Sequence, residues 1–184
     1  MTRGEANVTP ETGRVRGRVV QLHLKPREGR ARGLPKRAVS HLTITPQGVE
    51  GDFNRWRTEK ASGDPDQAVL LLSREILADL RAEGWPVQPG ELGENLTVAD
   101  IPAGSLQPGA RVRVGELLLE VSKACDPCTI LYSLPYVGLA RGPAFLRTLK
   151  GRRGWFARVL QGGTIRPEMP VEVMEPSAPT PATS

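Results

Sequence analysis

The stretch Cys125-Asp126-Pro127-Cys128 holds the only two cysteines among 184 residues. A thiolate is both a nucleophile and a soft metal ligand, and cations or backbone N–H groups around the sulfur favour both uses. The sequence supplies the cations. The next acidic residue after Asp126 is Glu168, and Arg141, Arg147, Lys150, Arg152, Arg153, Arg158 and Arg166 lie between them. Such a segment can hold an anion beside a thiolate, so any sulfur or metal chemistry is expected in this stretch. The plainer use of a free cysteine is as a small buried hydrophobe, and for Cys125 the two uses stand level. A thioredoxin-like pair would open a helix within a βαβ alternation, which this chain lacks. Structural zinc needs four ligands, and His23 and His41 are the only histidines.

The elements that must position these residues are mostly strands. Short apolar runs at 14–24, 38–45, 67–72, 95–99, 111–114, 117–122, 156–160 and 171–174 are separated by Gly and Pro, a spacing that predicts a barrel or closed sheet. Val112, Val114, Leu117, Leu119 and Val121 alternate around Gly115-Glu116, which predicts a hairpin with one buried face that delivers the chain to Cys125. Two helices interrupt the strands. The first has Ser73 as N-cap, Glu75 in its first turn, Ile76, Leu77 and Leu80 on one face, and a stop at Gly84 and Pro86. The second, 143–150, begins on a favoured proline and ends at Gly151. The fold class is therefore mainly β (α+β), a barrel with a few peripheral helices. One domain over 14–175 is expected, between polar tails at 1–13 and 176–184 whose composition predicts disorder.

Composition narrows the function classes. The apolar fraction is 39% and the charged fraction 24%, but aromatic residues make up only 4%, so the core must be built mainly from Val, Leu and Ile. The net charge of +5 raises nucleic acid as a partner. The scarcity of aromatic stacking platforms, with no helix-turn-helix or zinc-finger spacing, argues against it. No run approaches the ~20 apolar residues of a membrane helix, and the N-terminus lacks an apolar export segment, so a cytoplasmic protein is expected, its cysteines kept reduced.

The Gly-rich turns carry more information in their order than singly. Gly48-Val49-Glu50-Gly51-Asp52 with Arg55 after it is followed by Gln67-Ala68-Val69 and by Gly90-Glu91-Leu92-Gly93-Glu94-Asn95-Leu96. Then come residues 106–109, Arg111-Val112-Arg113-Val114-Gly115, Pro127-Cys128 and 154–163. In this order and spacing the chain resembles the MOSC domain, the family named for the C-terminal domain of molybdenum-cofactor sulfurases, and especially its small stand-alone bacterial members. The match runs over about residues 17–175. The resemblance implies a β-barrel whose cleft takes the molybdenum cofactor (molybdopterin), with the Pro-Cys cysteine, here Cys128, as catalytic thiol and molybdenum ligand or as a sulfur carrier. It implies cofactor-binding roles for Lys25, at the end of the first strand, for Asp52 and Arg55, on a Gly-Asp-x-x-Arg turn where the family usually has Gly-Asp-Arg, and for Glu94 and Asn95 of Gly-Glu-Asn. Arg153 of the basic segment joins them.

Two functions from different classes follow. In one, Cys128 ligates molybdenum in a reductase-type site for a small N-oxygenated substrate, fed by an external electron donor, since the chain has no flavin, haem or iron–sulfur motif. In the other, Cys128 accepts persulfide sulfur from a separate PLP-dependent cysteine desulfurase and passes it on. A basic nucleic-acid-binding barrel is the weaker third reading. On residue chemistry alone, Asp52 also serves as an ordinary turn-former and Asn95 as a strand-end cap. The loop with Lys25, Arg27, Arg30, Arg32, Lys36 and Arg37 also suits either a phosphate or plain hydration.

Overall fold

The structure, a computed structural model, describes residues 14–28, 34–102 and 104–176, without the side chains of Arg55 and Trp56. In chain order the elements are β1 (Arg14–Leu24), β2 (Arg37–Val39), β3 (Leu42–Thr45), β4 (Gly48–Val49), α1 (Arg55–Glu59), β5 (Val69–Ser73) and α2 (Arg74–Ala82). They continue with β6 (Leu96–Ala99), β7 (Arg111–Val114), β8 (Leu117–Ala124), α3 (Gly138–Leu149), β9 (Trp155–Gln161), β10 (Gly163–Ile165) and β11 (Pro170–Met174).

Seven strands in the order β11-β7-β8-β9-β5-β6-β1 close into a barrel through the β1–β11 pair, and β2 extends from β1. β5 and β6 run parallel; every other neighbouring pair is antiparallel. Strand β1 is long enough to serve three neighbours: Arg14–Arg18 pair with β11, Arg18–Leu22 with β6 across an irregularity between Val19 and Gln21, and Leu22–Leu24 with β2. A second sheet, β10-β3-β4, stands beside the barrel. The expected hairpin is present with Val114 opposite Leu117 across Gly115-Glu116, and its inward residues are fully buried. Together with Val19, Leu22, Leu71, Leu96, Ala157 and Val173 they form an aliphatic interior, each full-size side chain contributing roughly 1.5–3 kcal/mol.

A second apolar cluster lies apart from the first. Leu77 and Leu80 of α2, Trp85, Val87 and Leu92 of the following loop, Leu131 and Leu134, and Phe145 and Leu149 of α3 pack together with Leu72 of β5. Trp85 and Phe145 meet with ring centroids 4.7 Å apart, and the Arg141 guanidinium lies 4.3 Å from the Trp85 ring. This cluster fixes both the Gly90–Asn95 loop and the segment that follows the cysteines.

Some boundaries differ from those expected. The run 38–45 splits at Ser40-His41 into β2 and β3, which join different sheets. Helix α3 starts at Gly138, so Pro143 lies inside it instead of opening it. The earlier turn is held by packing, with Gly142 so close to the Tyr132 ring that any side chain there would collide with it. The tails at 1–13 and 176–184 lie outside the described residues except for Pro176, which rests against Gly109. Among the described residues no helix is long and apolar enough to cross a membrane.

Candidate functional site

A polar cleft opens where the end of β1, the β4–α1 turn, the start of β5 and the loop before β6 converge. Its walls include Lys36, Asp52, Asn54, Arg57, Gly93 and Asn95. Asp52 is the hub. Its Oδ1 accepts the backbone N–H of Lys25 at 2.8 Å, and its Oδ2 accepts Lys36 Nζ at 2.5 Å and Asn95 Nδ2 at 3.0 Å. The Lys36 and Asp52 side chains are only 5% and 7% exposed, so this is an ion pair largely removed from water. Phe53 N–H in turn donates to the Lys25 carbonyl at 2.7 Å, which clamps the turn onto the end of β1.

Asn95 stitches three elements together. Its Oδ1 accepts the Leu70 N–H of β5 at 3.2 Å, and its Nδ2 donates to the His23 carbonyl of β1 as well as to Asp52. Its own backbone closes the same seam, donating to Leu70 and accepting from His23. The carboxamide therefore orders the cleft wall by holding β1 and β5 together just before β6 begins.

The cysteine turn leaves β8 beside this wall. Cys125 N–H donates to Gly154 O at 2.9 Å, and the Cys125 side chain is buried, whereas Cys128 is exposed. Burial pushes the Cys125 thiol up to about 11. Arg153 is the connection between turn and cleft. Its Nε donates to Leu92 O at 3.3 Å, and its Nη1 donates to Asp126 O at 2.8 Å and to Cys128 Sγ at 3.2 Å. Gly93, next in the chain after Leu92, has a φ of +95° that suits a residue without Cβ, and a Cβ there would come within 2.9 Å of Leu34 Cδ2. The arrangement presents one accessible sulfur, a guanidinium fixed against it, and a cleft with buried cations behind.

A model of the MOSC domain matches residues 58–172. The chain belongs to the MOSC domain family. Protein YiiM of Escherichia coli (strain K12) is 30% identical over 154 residues, a match that covers 80% of this chain and 66% of that protein, so the chain spans just under two thirds of its relative's length. The crystal structure of the YUAD protein from Bacillus subtilis superposes with a TM-score of 0.73 at 20% identity, over 88% of this chain and 97% of that one. That of YiiM from Geobacillus stearothermophilus gives 0.64 at 24% identity, over 86% and 75%. These two likenesses are likenesses of fold.

Within this MOSC barrel the expected residues fall into groups. Asp52, Asn95 and the Lys25 backbone form one bonded network, and Arg153 and Cys128 form another. The Lys25 ammonium is buried and lies 3.6 Å from Glu28. Glu94 does not line the cleft. It is fully buried, with Oε1 accepting Gly90 N–H at 2.6 Å and the Thr97 hydroxyl at 3.3 Å, and with no partner for Oε2 among the described residues. Arg55 opens α1, and its side chain lies outside the described residues.

Two cleft cations were not singled out by the sequence. Lys36 was one of several cations in the basic loop, and only the fold brings it to Asp52. Arg57 follows a helix start capped by Asn54, whose Oδ1 accepts Arg57 N–H at 3.1 Å; its guanidinium is held by the Asp64 and Gly63 carbonyls. Gly48 leaves room for it, because a Cβ there would come within 2.9 Å of Arg57 Nη1, and its φ is +117°. Gly48→Ala is expected to cost roughly 1–2 kcal/mol in urea unfolding through backbone strain. It should also loosen α1, seen as faster amide exchange over 55–59; unchanged exchange there would contradict this account of the glycine.

Proposed function

We propose that the cleft binds the molybdenum cofactor and that Cys128 supplies the protein's thiolate to the metal, in a reductase-type site for small N-oxygenated compounds. The observation that carries this reading is the exposed Cys128 with Arg153 Nη1 3.2 Å from its sulfur, an arginine whose Nε also donates to Leu92 O, the residue before Gly93 of the cation-lined cleft. The donor set fits such a group. Among the described residues no cluster of three or more His, Cys, Asp or Glu side chains could hold a bare metal ion, so a metal at Cys128 would bring most of its ligands with it. Molybdopterin does so, and when bound it supplies two-electron chemistry at the metal. Lys36, Arg57 and Arg153 would hold its anionic portions by charge-assisted hydrogen bonds. Arg153 also fixes the position of the sulfur, and the Asp52–Asn95 network keeps the cleft wall rigid. Electrons would come from an external donor.

The test is turnover of an N-hydroxylated amidine by the cofactor-loaded chain with reduced viologen as donor. Wild type is expected to consume both reactants together, and Cys128→Ser to fall to the background of free cofactor. Equal turnover by the variant would exclude Cys128 from the chemistry. The exposure of Cys128 favours a second reading, since a separate PLP-dependent cysteine desulfurase could reach this sulfur directly. It would leave Cys128 heavier by one sulfur atom in the intact mass, and Arg153 beside a persulfide anion.

A further inference from the structure

We infer that Cys125 and Cys128 form a dithiol–disulfide couple oxidised by low-molecular-weight disulfides, with Cys128 reacting first and Cys125 resolving. One carbonyl, that of Asp126, meets Cys125 directly and is linked to Cys128 through Arg153. Cys125 S–H is directed at Asp126 O, 3.9 Å away, and Arg153 Nη1 donates both to that oxygen at 2.8 Å and to Cys128 Sγ at 3.2 Å. The turn between them is short and anchored at each end, by Cys125 N–H on Gly154 O and by Leu131 N–H on Cys128 O at 3.1 Å. No third cysteine competes.

Exposure sets the order of events. A dissolved disulfide meets Cys128 at the surface, while Cys125, only 4% exposed, is reached most directly from Cys128. The Cys128 thiolate attacks the disulfide R–S–S–R, forming Cys128–S–S–R and releasing R–S⁻. Cys125 then attacks the Cys128 sulfur. The internal S–S bond forms, the mixed disulfide breaks, and the Cys125 proton leaves with the second R–S as R–SH. Both protein sulfurs lose one electron each and the small disulfide gains two. Formation of the bond is independent of the cofactor. Its consequence rests on the proposed function: an oxidised Cys128 has no thiolate to give the metal, so the couple would switch the site off reversibly.

The experiment incubates the reduced 184-residue chain with oxidised glutathione, quenches it in acid, alkylates it under denaturing conditions and reads intact and peptide masses. Wild type is expected to end two hydrogens lighter, without adduct or alkylation. Cys125→Ser is expected to stop as a glutathione adduct on Cys128, and Cys128→Ser to take up none over the same time. A wild-type chain that accumulates the Cys128 adduct with Cys125 still alkylatable would overturn the proposal, whatever the variants do. So would adduct formation at Cys125 in Cys128→Ser at the wild-type rate. Cofactor retention by the reduced wild-type chain, measured alongside, separates the two ideas: retention without a disulfide sinks only the couple, and a disulfide without retention sinks only the cofactor reading.

Discussion

Asp52→Asn is expected to lower stability by roughly 3–5 kcal/mol, the loss typical when one partner of a buried ion pair is removed. The substitution keeps the shape and still allows one oxygen to accept the Lys25 N–H, so lost packing does not enter. What changes is that the Lys36 ammonium, 5% exposed, faces a neutral amide in place of the carboxylate it contacts at 2.5 Å. Asn95 Nδ2 competes for the same atom, so its bond at 3.0 Å is disturbed as well, and with it the seam between β1 and β5. Replacing both charged partners, Asp52→Asn with Lys36→Met, removes the stranded charge and is expected to recover a large part of the loss. Urea unfolding of the two single variants and the double variant measures this directly. A loss under about 1 kcal/mol for Asp52→Asn, the range of exposed pairs, would show that water reaches the pair.

The second large effect belongs to Glu94 and is visible as a pH dependence. Burial pushes its carboxyl up to about 7 from the usual 4.5, against its hydrogen bonds from Gly90 and Thr97 and the nearby Lys36 charge. The folded chain therefore keeps a proton that the unfolded chain releases from pH 4.5 upward. Stability from this group is whole below pH 4.5 and falls as pH rises through 7. His23 acts in the opposite sense. Burial, helped by Lys36, pushes its imidazole down to about 4 from 6.5, and among the described residues neither ring nitrogen has a partner. Its contribution is whole above pH 6.5 and is lost as pH falls toward 4. The two slopes oppose each other between these limits in wild type.

Glu94→Gln removes one slope and leaves the other. Relative to wild type, the variant is expected to gain about 3 kcal/mol between pH 4.5 and pH 8, the equivalent of Glu94's displacement. Its own stability should rise with pH up to 6.5. Parallel wild-type and variant profiles from urea titrations across that range would show that Glu94 titrates alike in the folded and unfolded chain, which contradicts the upward shift.

The barrel was legible because its interior is aliphatic and its strands are short. Residues 111–122 alternate except at Leu118, and the Gly115-Glu116 turn leaves one register that buries Val112, Val114, Leu117, Leu119 and Val121 together. The limits of helix α3 were not, since a proline at its sixth position argues locally for a later start, and only the stacking of Gly142 on Tyr132 supports the earlier one. In the site, Asp52, Asn95, Cys128 and Arg153 stood out through their motifs and charge. Lys36 and Arg57 did not, because a basic loop contains no local sign of which cation folds inward. His23 and Glu94 were hidden for a related reason. His23 follows the core residue Leu22 in β1, a position that alternation assigns to solvent, yet the Gly90 turn packs against its ring. That covering comes from a loop about seventy residues away in sequence, which no local pattern records.

The cleft of this MOSC domain is read as a molybdenum-cofactor site closed by one protein thiolate, and the most direct test is metal content. The reduced wild-type chain and Cys128→Ser are each incubated with isolated molybdenum cofactor, passed through gel filtration, and assayed for molybdenum and pterin. Near-stoichiometric molybdenum and pterin in wild type, with a marked fall in the variant, is the predicted result. Retention by neither protein, or equal retention by both, would contradict the assignment of Cys128 as the ligand that holds the cofactor.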